Sequence, residues 1–470
     1  HYIEATFAAH KLRAVPINVN YRYVEEELRY LFDNADLKAL VHGREYTPRI
    51  ARVAADCPQL TSYVAVEDGS DCDLQPINAV SYEDALAAQP ATRNFAPRSA
   101  DDLYILYTGG TTGMPKGVMW RSEDFLFSTI LPLMTLGGPL PESPAEVFAT
   151  AREKGGSLTT FPIAPLMHGA ANWVAMMALF SGNKLALVPS PRLDPDDVWR
   201  TVEAEHVNSI TVVGDAMARP LIESLEANPG KYDVSSLFAM GSGGAILSPA
   251  VKAKIHEILP DLLILDSHGA SESGYQGGAI GADDEGHPRF NMGPDTTVLD
   301  EHGRPMEPGT GVAGRLARRG HVPVGYYKDE AKTKATFIEV DGERWALPGD
   351  MAILEADGII TLLGRGSVSI NTGGEKVYPE EVEMTLKSHP DVFDAVVVGV
   401  PDERWGERVA AVVTVRPGAA VSLDELRAHC QAQIAGYKAP RELKVVDELV
   451  RSPSGKADYR WAKSVALGNT

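Results

Sequence analysis

A lysine that closes a glycine- and threonine-rich run is the first place where this chain could do chemistry. Residues 107–117 read Tyr-Thr-Gly-Gly-Thr-Thr-Gly-Met-Pro-Lys-Gly. Gly109, Gly110 and Gly113 let backbone N–H groups come close to an anion. Thr108, Thr111 and Thr112 add hydroxyl donors and Lys116 adds a point charge, a set suited to phosphate oxygens. It is not a Walker loop, because Gly117 follows Lys116 where that motif carries a magnesium-binding Ser or Thr. A flexible hairpin turn is the ordinary alternative for a shorter Gly/Thr string. Other groups stand singly: Glu272 at the end of Asp266-Ser267-His268-Gly-Ala-Ser271-Glu272, Asp350 after Pro-Gly, Lys456 at the end of Arg-Ser-Pro-Ser-Gly-Lys, and His168 in Pro-Leu-Met-His-Gly. Taken alone, Glu272 reads as a solvated loop carboxylate, Asp350 as a turn cap, Lys456 as an exposed lysine on a loose tail and His168 as a half-buried structural histidine.

Positioning these groups requires a scaffold, and the chain patterns as one. Short β-rich runs at 37–41, 103–107, 184–188, 209–213 and 262–265 alternate with helical patterns, which predicts an α/β protein built from parallel βα units. Val24, Leu28 and Leu31 keep one helical face. Val251, Ile255 and Ile258 keep another behind Ser248-Pro249, and Asp194-Pro195 opens a third helix. Near residue 364 the texture changes to a Gly/Ser stretch, an acidic helix over 379–387 and strands at 395–400 and 409–415. We therefore expect a large domain over 1–364 and a small α+β domain over 365–470. The Pro/Gly-rich segment 137–144 is the expected mobile surface loop, and no repeat at solenoid spacing is seen.

Composition bounds the function. With 470 residues, 44% apolar and 23% charged, the chain exceeds what one core usually holds. A formal charge of -20 disfavours nucleic acid and anionic lipid as partners. Three cysteines at wide spacing fit neither a disulfide framework nor a CxxC metal site, which points to a reducing, cytoplasmic setting. No apolar run approaches the roughly 18 residues needed to cross a bilayer. The chain begins at His1 rather than methionine, so the natural start of the large domain is expected upstream.

The phosphate loop resembles that of the acyl-CoA synthetases of the adenylate-forming superfamily, which also holds firefly luciferase and peptide-synthetase adenylation domains, and the resemblance runs over almost the whole chain. Residues 266–272 are similar to the family's strand-to-loop motif, which implies that Ser271 touches the α-phosphate, that Glu272 holds magnesium and that Asp266, Ser267 and His268 line the nucleotide. Residues 311–327, which run into Lys-Asp-Glu, resemble a structural segment of the large domain. The resemblance places Asp350 and Arg365 on the ribose, Gly243 and Gly244 beside the acyl group and nucleotide, Ser367 at an interdomain hinge, and Gly373, Gly374 and Glu375 toward coenzyme A. It makes Lys456 the catalytic lysine, and sets His168 beside the acyl carboxylate. Departures from the pattern are Ser367 where many relatives carry Asp or Lys, His268 in place of an adenine-stacking tyrosine, and Pro348 in place of a threonine.

What the resemblance implies is an acid–thiol ligase using ATP, Mg²⁺ and coenzyme A. A carboxylate is a poor acyl donor, so a first step makes acyl-AMP with loss of pyrophosphate and a second passes the acyl group to the CoA thiol. Mg²⁺ on Glu272 and the Lys456 ammonium would stabilise charge gathering on the α-phosphate. The runs Asn18-Val-Asn-Tyr-Arg-Tyr-Val, Gly214-Asp-Ala-Met-Ala-Arg-Pro and Asp458-Tyr-Arg-Trp-Ala-Lys look most like actinobacterial ligases for steroid side-chain or terpenoid acids. Gly243 and Gly244 are expected to leave volume for a bulky acid and Met176, with Met177, to offer a deformable wall; ordinary core packing is the alternative for the methionines. Medium- or long-chain fatty acids are the second substrate class, a homodimer is one expected assembly, and an enzyme performing only thioester formation from acyl-AMP is a further variant. A carrier-protein loading enzyme, a luciferase-like oxygenase and a non-catalytic binding protein complete the alternatives.

Overall fold

The computed structural model describes all residues except 109–113, 135–140, 189, 191, 246, 283–287, 294, 373–374, 403–405, 435, 452–455 and 469–470. It falls into two compact units, one made of His1–Phe125 with Pro323–Ala335 and the other of Leu126–Val322 with Thr336–Thr470.

In the first unit, a parallel sheet of Ala39–Gly43, Ser62–Val66 and Val80–Ser81 shares a core with a second, antiparallel sheet of Leu103–Thr108, Lys116–Arg121 and Gly325–Tyr326. The helices Glu25–Asn34 and Thr47–Ala54 press Leu31, Phe32, Ile50 and Val53 into that core. Val24, expected on the helical face, is instead the N-cap and is 53% exposed. Its backbone N–H donates to the Glu27 carboxylate three residues on, which starts the helix.

The second unit is organised by a thirteen-stranded mixed sheet. One half is parallel, as the alternation predicts: Lys184–Leu185, Thr159–Pro162, Ser209–Val212, Ala239–Gly243 and Leu263–Ala270 are neighbours in that order. Helices Pro195–Glu205, Asp215–Ala227 and Pro249–Ile258 cover it, burying Trp199, Leu221 and Ile255 against Ile210 and Met240. Ser248 and Asp194 cap their helices as read, accepting from Val251 N and Asp196 N. The expected strand at 184–188 shrinks to two residues at the sheet edge. The other half, from Gly274–Ala282 to Phe337–Val340, is antiparallel and was not foreseen.

A separate five-stranded sheet, formed by segments of 370–445, belongs to the same unit. The helix Pro379–Lys387 lies where it was expected, and the strands Val392–Asp402 and Gly406–Val415 enclose the two expected runs. Both faces of this sheet are covered, so residues 395–398 are all buried: Ala395 and Val397 face one core, Val396 and Val398 the other. The boundary expected between 364 and 365 lies inside the second unit, five residues before the first strand of the small sheet. Only residues 141–144 of the expected surface loop are among those described.

Candidate active site

The strand that carries Thr108 is fixed by a side chain. The Asn18 amide donates to Tyr107 O at 2.8 Å and accepts from Tyr107 N–H at 2.6 Å, standing in for a neighbouring strand. The Tyr107 hydroxyl donates to Asn34 Oδ1 at 2.6 Å. Gly117 is required where the loop returns, because a Cβ there would lie 2.7 Å from Ile105 Cγ2. The segment 323–330 braces the other side: Tyr327 N–H donates to Gly117 O and Val324 N–H to Met119 O, both at 2.8 Å. Lys116 is ion-paired with Asp329, which holds that carboxyl below its usual range through a direct hydrogen bond. Gly109, Gly110, Thr111, Thr112 and Gly113 lie outside the described residues.

In the second unit, parallel pairing sets Ser242 opposite Asp266 and Gly243 opposite Ser267, so both strands deliver their carboxyl ends to one edge. That edge is where open α/β sheets bind ligands. Gly243 and Gly244 are glycines for different reasons. The Ser267 hydroxyl takes the space beside Gly243, lying 2.8 Å from where a Cβ would be, so no open volume exists there. Gly244 has φ +83°, and its Cβ position lies 3.9 Å from both Val213 Cγ1 and Lys456 Cε. The exposed Lys456 is thus brought to the turn after Gly243. Ala164, Ala171 and Val213 form a small core with Leu166, Ala170 and Ala245 against it, which carries the His168 turn to the same place. His168 is the N-cap of the helix Gly169–Phe180.

Met176 is 1% exposed, so its side chain lines no open groove; on the same helix Trp173 and Met177 are partly exposed. The helix is apolar all round, and periodicity gave no means of choosing the face.

Ser271 and Glu272 occupy the half-buried turn between Leu263–Ala270 and Gly274–Ala282. The sequence reading missed what holds this turn. Arg318, 2% exposed, donates to Ser273 O and, at 3.0 Å, to Ser128 Oγ, and burial lowers its pKa to about 10, leaving it charged at neutral pH. Gly274 has φ +69°, and a Cβ there would meet Ser128 Oγ at 2.0 Å and Arg318 Nη1 at 2.7 Å. Asp266 turns toward Lys252 of the covering helix in an ion pair, while burial pushes its carboxyl up.

Asp350 and Arg365 face one another across an antiparallel pair, which places both residues expected on the ribose at one register position. Asp350 is buried, and its Oδ2 lies 3.7 Å from His268 Nε2. The His268 ring sits 5.6 Å from that of Phe290. The side chains of Arg365, Ser367 and Glu375, and the whole of Gly373 and Gly374, lie outside the described residues.

Residues 1–327 match the family model described as AMP-binding enzyme, and residues 381–456 match that of the AMP-binding enzyme C-terminal domain. The chain belongs to the AMP-binding enzyme family. It is 52% identical over 476 residues to a 3-oxocholest-4-en-26-oate–CoA ligase of Rhodococcus rhodochrous, covering 98% of this chain and 84% of that protein. It is 50% identical to a medium/long-chain-fatty-acid–CoA/3-oxocholest-4-en-26-oate–CoA ligase of Mycolicibacterium smegmatis, covering 97% and 83%. Among solved structures, an anthranilate CoA ligase in complex with anthranoyl-AMP matches with a TM-score of 0.81 at 22% identity, covering 99% of this chain and 85% of that one. An ATP-bound MatB from Rhodopseudomonas palustris matches with a TM-score of 0.76 at 24% identity, covering 96% and 84%. These two support the fold alone.

Proposed function

We infer that the chain is an ATP-dependent acyl-CoA ligase: a carboxylic acid and ATP give acyl-AMP and pyrophosphate, and coenzyme A then gives acyl-CoA and AMP. The observation that carries this reading is Lys456 at Gly244, on the sheet edge that also delivers residues 266–268. In the first step the acid's carboxylate oxygen attacks the α-phosphate. The Lys456 ammonium and the Ser271 hydroxyl offset the charge that gathers there, and Asp350 with Arg365 holds the ribose. Residues 108–116 hold the β- and γ-phosphates. Glu272 would hold Mg²⁺, since it offers a hard carboxylate oxygen from a turn backed by a buried arginine. Bound there, the ion would neutralise phosphate charge.

In the second step the CoA thiolate attacks the acyl carbonyl and AMP leaves. We assign the large and small domains to 1–364 and 365–470, with Ser367 at the hinge, rotation withdrawing Lys456, and Gly373, Gly374 and Glu375 toward the CoA path. The separate sheet that begins at Ile370 supports this division. His168 serves the acyl carboxylate. A bulky apolar acid, such as a steroid side-chain acid, is the preferred substrate, a reading supported by the relatives' names at 50% identity and above. Medium- or long-chain fatty acids are the second class, on the same grounds. Cytoplasmic location and a homodimer complete the proposal; no helix among the described residues is long and apolar enough to cross a membrane.

The test is a reaction with ATP, Mg²⁺, CoA and pooled steroid, terpenoid and fatty acids, reading AMP and thioester masses together. Equimolar AMP and one thioester class is the expected result. Thioester only from supplied acyl-AMP would restrict the enzyme to the second step.

A further inference from the structure

Five residues before Lys456 the chain is held by charges that the reaction does not use. Arg451 and Ala457 form an isolated antiparallel bridge, and Asp458 N–H donates to Val450 O at 3.3 Å, so the chain just before 452 is paired with the chain just after Lys456. Arg451 then reaches into the small sheet: its Nε donates to Asp394 Oδ2 at 2.8 Å and its Nη2 to Asp394 Oδ1 at 2.7 Å, a two-pronged pair. Asp394 is aimed for this by an irregularity in strand register between Val392 and Asp394. The almost fully buried Lys387 adds its ammonium 3.1 Å from Asp394 Oδ1. On the far side of Lys456, Tyr459 opens the last helix and is hydrogen-bonded to the buried Glu383, which also accepts Val397 N–H at 2.9 Å. The residue before Asp394, Phe393, carries the Arg219 guanidinium over its ring at 5.2 Å, and Arg219 belongs to the helix that follows the strand Ser209–Val212 of the large sheet. One strand end therefore grips Arg451 with Asp394 and touches the large sheet's helix with Phe393.

We propose that Arg451, held by Asp394, whose carboxylate Lys387 also pairs, is a positioning residue for adenylation: it fixes the chain five residues before Lys456 so that the lysine arrives beside Gly244. A lysine side chain swings through several ångströms on four rotatable bonds, so its placement needs a fixed point elsewhere in the chain. A planar fork locked on a carboxylate supplies one. The inference rests on the reading of Lys456 as the adenylation lysine.

The experiment separates the half-reactions in R451Q, R451K and D394N, with K456A and the K456A/R451Q double variant beside them. Acid-dependent pyrophosphate release reports the first step, and thioester formation from synthetic acyl-AMP and CoA the second. R451Q is expected to lower kcat for pyrophosphate release by about tenfold to a hundredfold, the scale of a misplaced catalytic group, with KM for ATP and acid within about twofold and the second step near wild type. R451K recovers part of the loss, and the double variant falls no further than K456A, because both changes remove one function. Equal loss of both half-reactions in R451Q and D394N, or additive losses in the double variant, would overturn the proposal. So would an unchanged R451Q beside a K456A that loses only adenylation. A K456A that keeps adenylation overturns the reading of Lys456 itself, and this inference with it.

Discussion

Lys116 and Lys456 each close a glycine-bearing run of sequence, and their two units secure them by opposite means. Lys116 is restrained through its own charge: Asp329, on a segment that returns from late in the chain, holds the ammonium directly, with 40% of the lysine side chain still exposed. At Lys456 the restraint sits five residues earlier, in the Arg451–Asp394 pair, and the lysine itself reaches Gly244. A group that neutralises a cation also competes with the ligand for it, whereas a group that fixes the root leaves the charge for the reaction. The first arrangement suits binding of phosphates that stay bound or leave whole. The second suits a cation whose worth is realised only while charge moves in the transition state.

Breaking the second lysine is expected to have the largest effect. Lys456→Ala should cut pyrophosphate-forming turnover by about 10²–10³-fold, as loss of a transition-state donor does elsewhere, and spare thioester formation from acyl-AMP; equal damage to both steps would erase the contrast with Lys116. Gly274→Ala attacks the turn that carries Glu272, forcing a Cβ into Ser128 and Arg318 at positive φ. We expect about tenfold weaker Mg²⁺ dependence of adenylation together with a lower melting temperature, and a variant with normal Mg²⁺ response would uncouple turn and metal. Lys116→Ala should raise KM for ATP by about three- to tenfold with kcat nearly intact, the mark of lost ground-state binding.

The partner variant sharpens the comparison. If Asp329 competes with phosphate, Asp329→Asn lowers KM for ATP by about twofold, an effect that shrinks with added salt; a raised KM would show that the carboxylate orients the lysine instead. The smallest signal is in acid stability. Burial pushes the Asp394 carboxyl up, but Lys387 and Arg451 outweigh it and its pKa is net lowered. Its contribution is present above the unfolded value of about 3.9 and is lost as pH falls through the lower folded value. Urea unfolding of Asp394→Asn should therefore show a deficit at pH 7 that narrows steadily below about pH 4.

What could be read from the chain alone was whatever is local or ordered along it. Ser248 and Asp194 cap because the cap contact spans two or three residues, and the unbroken Val-rich run at 395–400 marks a strand by itself. Asp350 and Arg365, fifteen residues apart, become neighbours through a simple hairpin. What escaped reading is carried by long-range pairs of residues that look ordinary: Arg318 with Ser128, Lys252 with Asp266, Asp329 with Lys116, and Arg451 with Asp394. A surface-type residue in a charged run gives no sign that it will be buried. Met176 failed for the opposite reason, since an apolar residue in an all-apolar helix fits core and groove equally.

The strand Lys116–Arg121 pairs on one side with Leu103–Thr108 and on the other with Gly325–Tyr326, and this has a consequence for synthesis. The ribosome delivers the second partner roughly two hundred residues after the first, which at about 5–20 residues per second leaves one edge of the strand without its neighbour for about 10–40 s. During that interval the backbone beside Val118 and Met119 is an open template for any extended chain. The strand that begins at Lys116 is thus encoded early and braced late, and the first unit cannot be completed by a fragment that stops at residue 125.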